Sequence, residues 1–110
     1  MGEVYTYYYP NAEPVTAPGP LRGHGRAWVE GAYRPPTFPS ALNVRVGDAG
    51  VKVVAVIRYL RAYGGDTERV LHSWSPLLTR EDVEAAISFY ERPGNRAEID
   101  QQLAEDAVIA

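Results

Sequence analysis

The chain has 110 residues, of which 45% are hydrophobic and 23% charged, and a net charge of −3. That size allows one domain, and the acidic balance weighs against a free-standing nucleic-acid binder, whose domain is usually basic. The absence of cysteine excludes disulfides, a thiolate nucleophile and Cys-based zinc sites. No apolar run reaches the ~18 residues that cross a bilayer, and no secretory signal opens the chain. A cytoplasmic protein with no membrane partner is therefore expected.

Seven of the nine prolines precede residue 40. "YPNAEPVTAPGP" and "YRPPTFP" forbid helix and favour extended or turn backbone. "VYTYYY" has high β-propensity, but its neighbouring tyrosines define no clean inner face. "RAWVE" fits a short strand carrying Trp28, and "LNVRV" (42–46) alternates like a half-buried one. Residues 1–40 are accordingly expected to be an extended arm that orders against a partner, and residues 41–110 a helical domain.

From Val51 the pattern turns helical. In "VKVVAVIRYLRAY" the residues Val53, Val56, Ile57 and Leu60 form one apolar stripe, and Gly64-Gly65 end the helix. Asp66 caps a short second helix, "TERVLHSW", whose Val70 and Leu71 face inward. "SPLL" is a turn. Thr79 caps a third helix, with Asp82 completing a capping box, and Val83, Ala86, Ile87 and Tyr90 on its inner side. Pro93-Gly94 stop it, and Asn95 with Glu98 reads as a cap pair opening a last helix that buries Ile99 and Leu103. The fold class expected is mainly α: a three- to four-helix core with a short β element and the extended N-terminal segment.

This order of helices, together with "VKVVAVIRYLRAYGGDTERVL", "PLLTREDVEAAISFY" and "AEID", resembles the bacterial proteins grouped as domain of unknown function 433. The most specific matches are Pro76, Leu78, Thr79, Val83, Ala85, Ala86, Phe89, Tyr90, Glu98, Ile99 and Asp100, within roughly residues 44–104. Several proteins of that family look like VapB-type antitoxins encoded beside PIN-like nuclease toxins. The resemblance implies a homeodomain-like helix-turn-helix core that forms a homodimer, with a nuclease partner and operator DNA.

On that reading the third helix would read bases with Arg80, Ser88 and Arg92, while Arg58 and Arg61 hold phosphates. Against it, residues 51–110 hold seven basic and ten acidic side chains, and Glu81 and Glu84 on the same helix repel phosphate. Tyrosine- and proline-rich segments suit protein interfaces. Tyr7 and Trp28 are therefore expected at a partner surface. Phe89, beside Tyr90, is placed at a dimer contact because one small core has no room for both rings. No catalytic constellation emerges: helical spacing separates Asp82 from Glu81 and Glu84, and His24 and His72 lie in unrelated local patterns. No cofactor or metal is implied. The expected function is an antitoxin-like protein that neutralises a nuclease and binds its operator as a dimer. The alternative is a non-catalytic interaction module of the same fold without DNA binding.

Overall fold

The computed structural model describes residues 5–8, 13–15, 25–31 and 40–109. The described chain is mainly helical, with a small antiparallel sheet. Five strands, Tyr5–Tyr8 (β1), Glu13–Val15 (β2), Ala27–Gly31 (β3), Arg45–Val46 (β4) and Val51–Lys52 (β5), lie in the order β2-β1-β3-β4-β5. Pro14 sits in β2 at the sheet's edge, where a missing N–H leaves no ladder bond unmade on the outer side. A 3₁₀ turn, Ala41–Asn43, leads into β4. Four helices follow: Val53–Ala62 (α1), Thr67–Trp74 (α2), Arg80–Tyr90 (α3) and Pro93–Ile109 (α4).

Cross-strand neighbours share a face of a sheet. Tyr7 pairs with Val29, and Ala27 with Val46, so these four point together. All join the helical core with Val53, Val56, Ile57, Leu60, Val70, Val83, Ala86 and Ile99. The opposite face carries Tyr8, Trp28 and Arg45, which are also register partners. There Trp28 is 2% exposed, and its Nε1 donates to the Gly47 carbonyl at 3.1 Å. Its ring packs on Gly50, where a Cβ would lie 3.4 Å from the indole. The tyrosine run therefore does have an inner face, and a second, covered one.

This corrects the expectation of an N-terminal arm for the residues described. β1 and β3 are inner strands of the sheet, and β3 bridges the N-terminal hairpin to β4. The physical reason is that the helices do not close the core alone: Tyr7, Ala27 and Val29 are buried in it with them, and β3 packs on α3. "YRPPTFP" and most of "YPNAEPVTAPGP" fall outside the described residues.

The helical half follows its local signals closely. The stripe Val53, Val56, Ile57, Leu60 is buried throughout. Gly64 and Gly65 take φ of 65° and 85°, and Gly65 N donates to the Leu60 carbonyl at 2.7 Å, which closes α1 as a left-handed glycine stop does. Asp66 accepts the Arg69 N–H at 3.3 Å, and the Thr79–Asp82 capping box is complete. Two expectations change. "LNVRV" is a 3₁₀ turn before a two-residue strand. Asn95 caps nothing: α4 begins at Pro93, a favoured first helical position. Asn95 Nδ2 instead donates to the Phe89 carbonyl at 3.0 Å. Glu98 reaches back to the 3₁₀ turn, accepting from Ser40 Oγ and, at 3.1 Å, from Ala41 N.

Candidate functional site

The residues expected at an interface lie inside. Tyr7, Trp28 and Phe89 are 1%, 2% and 4% exposed, so none presents a surface to a partner. Phe89 is buried because α3 has two packing partners. The helix lies against α1 and also against β3 and β4, and Phe89 and Tyr90 go to different neighbours.

The arginines expected on DNA divide into two groups. Arg58 pairs with Asp106, Arg61 with Asp100 and Arg80 with Glu68. These pairs are about half exposed, and such pairs contribute little stability. Each nevertheless offers a carboxylate that competes with phosphate for the guanidinium. Ser88, on the outer side of α3, and Arg92, just past its end, are exposed, yet that side is not an open ridge. It forms one wall of a cleft of about 160 Å³ whose other wall is Gly25, Arg26 and Ala27.

Around Arg61 the polar contacts form a small network. Arg61 donates to Tyr90 Oη at 2.7 Å, and Tyr90 Oη donates to Asp100 Oδ1 at 2.6 Å. Arg96 stands over the same ring, 5.3 Å from its centroid. The Tyr90 hydroxyl, followed by the Arg61 guanidinium, holds the Asp100 carboxyl below its ordinary value, against an opposing desolvation. Arg61 is raised, chiefly through its bond to Tyr90. A carboxylate with a depressed folded pKa stabilises the fold above its unfolded pKa and loses that contribution as pH falls through the folded value. Carboxyl NMR titration should place Asp100 below a normal aspartate, and Tyr90→Phe should move it upward. An unchanged titration in Tyr90→Phe would remove the hydroxyl as the cause. This network rims an open groove of about 500 Å³ floored by Ile57, Leu60 and Ile87.

One residue is unlike the others. Asp82 is a fully buried carboxylate. Its Oδ2 accepts Thr79 N at 3.0 Å, and its Oδ1 accepts Gly25 N at 2.8 Å across 57 positions of sequence. The capping box was legible in the residues. Its second use, fastening the start of α3 to Gly25 just ahead of β3, was not.

Sequence reasoning also missed an aromatic surface on α1 and α2. Tyr59 packs edge-on against Tyr63 and Trp74, with ring centroids 5.9 and 5.2 Å apart. Tyr59 and Leu77 are 37% and 47% exposed, and Leu77 N donates to the Trp74 carbonyl. Buried Trp74 Nε1 has no acceptor. The signal was present: Tyr59 and Tyr63 are spaced i, i+4 on a helix. His72 is exposed nearby on α2, lining a hollow with Tyr63, Glu68, Arg69 and Ser73; His24 lies outside the described residues. Among the described residues no three His, Asp or Glu side chains converge as metal ligands, and no helix is long and apolar enough to cross a membrane.

Comparisons with protein-family models, curated proteins and solved structures find no match to this chain.

Proposed function

We propose that this chain is an antitoxin-like, non-catalytic cytoplasmic protein with a homeodomain-like helix-turn-helix core. It neutralises a PIN-like nuclease by direct contact and, as a homodimer, binds operator DNA. The observation that carries the protein-contact part is the aromatic surface of Tyr59, Tyr63, Trp74 and Leu77. Tyr59 is exposed and packs on the half-buried Tyr63 and Trp74; rings already packed against one another lose little entropy on binding and are over-represented among binding hot spots. The helix-turn-helix part is supported by α2, the turn through Ser75–Pro76, and α3 with its complete capping box.

A second reading, the same fold binding protein but not DNA, is favoured by the ion pairs of Arg58, Arg61 and Arg80. Each would have to release a carboxylate before holding a phosphate.

The test uses the nuclease encoded by a neighbouring gene. Co-expressed, the two proteins should purify together, and the double substitution Tyr59→Ala, Leu77→Ala should weaken the complex by at least about tenfold. Failure of the wild-type pair to associate defeats the proposal. Retardation of the upstream DNA at low salt, with a salt slope that falls by about one unit in Arg92→Ala, supports operator binding. Nuclease binding without any retardation selects the second reading. Sedimentation at micromolar concentration decides whether the free protein is a dimer.

A further inference from the structure

The groove beside Tyr90 has the make-up of a small-molecule site. Its volume of about 500 Å³ falls within the roughly 300–1,000 Å³ typical of such sites. Ile57 and Leu60 of α1 and Ile87 of α3 give it an apolar floor. The Gly64-Gly65 stop lines one end. A Cβ added at either glycine would meet nothing within 4 Å, so that end stays open to a ligand.

Polar groups meet at the Tyr90 ring and hold one another in place. The Arg61 and Arg96 guanidiniums lie 5.9 and 5.3 Å from its centroid. Its hydroxyl is 2.7 Å from Arg61 Nη2 and 2.6 Å from Asp100 Oδ1, and Arg61 and Asp100 form an ion pair. Arg61 and Arg96 are raised and Asp100 is lowered, in each case chiefly through the Tyr90 hydroxyl. Shifted groups gathered around one hollow are a mark of binding sites.

Charge narrows the ligand. Arg61 and Asp100 neutralise each other, which leaves Glu91 and Arg96, both exposed and both lining the groove. Among the described residues neither has an ion-pair partner. A monoanion at Arg96 would face Glu91, and a cation at Glu91 would face Arg96. A zwitterion satisfies both. A second copy fits poorly, because a two-fold contact sets the same concave surface on both sides. We infer that this groove binds an apolar amino acid, its carboxylate at Arg96, its ammonium at Glu91 and its side chain on the apolar floor. The inference needs neither the nuclease nor DNA, so its failure leaves the antitoxin reading untouched.

An NMR titration of the isotope-labelled full chain with L-phenylalanine tests it. The amides of Gly64, Gly65 and Glu91 should shift and saturate at about millimolar ligand, the affinity expected of so small a molecule. N-acetyl-L-phenylalanine lacks the ammonium and L-phenylalanine amide lacks the carboxylate. Each should bind at least about tenfold more weakly, the scale of one charge-assisted hydrogen bond. Arg96→Ala should weaken L-phenylalanine to the same degree and leave the amide unchanged, whereas Glu91→Gln should leave the N-acetyl form unchanged. Both residues are exposed, and unaltered thermal melts should show that the variants stay folded. Lys52→Ala, outside the groove, should have no effect. Absence of any shift, or a singly blocked form that binds as well as the free amino acid, overturns the inference. Equal binding by the doubly blocked N-acetyl amide overturns it too, by placing an uncharged protein segment in the groove. Shifts of the same amides with protein concentration alone place a second copy there, with the same consequence.

Discussion

Trp28→Ala is expected to be among the most damaging substitutions in this protein, costing about 3–5 kcal/mol. The indole is 2% exposed, packs on Gly50 and donates a buried hydrogen bond to the Gly47 carbonyl. Its removal leaves a cavity over the sheet and orphans an acceptor in the β4–β5 turn. Domains of this size are stable by about 5–15 kcal/mol, so the variant should unfold at much lower denaturant than the wild type. Deletion of residues 1–39 goes further: it removes β1 to β3 and takes Tyr7, Ala27 and Val29 out of the helical core. The remaining helices should lose their cooperative melt while keeping part of their circular dichroism. A truncated chain that still melts cooperatively would show that the sheet is accessory to the helices.

The second large effect is expected at Asp82. Asp82→Ala removes the carboxylate that satisfies Thr79 N and Gly25 N, half of a capping box and a long-range tie in one step. An N-cap loss is about 1 kcal/mol, and a buried donor left unsatisfied adds about 1–3, so about 2–4 kcal/mol is expected. Gly47→Ala approaches the same contact from the other side. Gly47 has φ of 74°, and a Cβ there would sit 2.8 Å from Asp82 Oδ2; an L side chain strains both the turn and the carboxylate. Glu84→Ala, on the exposed side of the same helix, should stay within about 0.5 kcal/mol. Urea unfolding of the three variants measures the ranking. Equal midpoints for Asp82→Ala and Glu84→Ala would mean that the tie to Gly25 carries no stability.

These expectations bear on how the charges of α3 act. Asp82 serves the fold, while Arg58, Arg61 and Arg80 are met by acids from α4 and α2. The acidic balance of residues 51–110 is therefore partly internal neutralisation.

Local chemistry by itself determined the helices: the apolar stripe of α1, the Gly64-Gly65 stop, the Asp66 cap and the Thr79–Asp82 box all act within a few residues, where the chain's own spacing decides the outcome. The same holds for Ile99 and Leu103, which are buried as their spacing requires. Only the tertiary structure decided what Tyr7, Trp28 and Phe89 do, because their burial depends on strands that meet partners distant in sequence. A β-ladder is made by register between separate segments, and no short window of residues records it. For the same reason Glu98, which looks like a helix-opening acid beside Asn95, reaches back to Ser40 and Ala41. Asp82, legible as a cap, also holds Gly25, since a buried carboxylate needs hydrogen-bond donors and the fold brings this one to it.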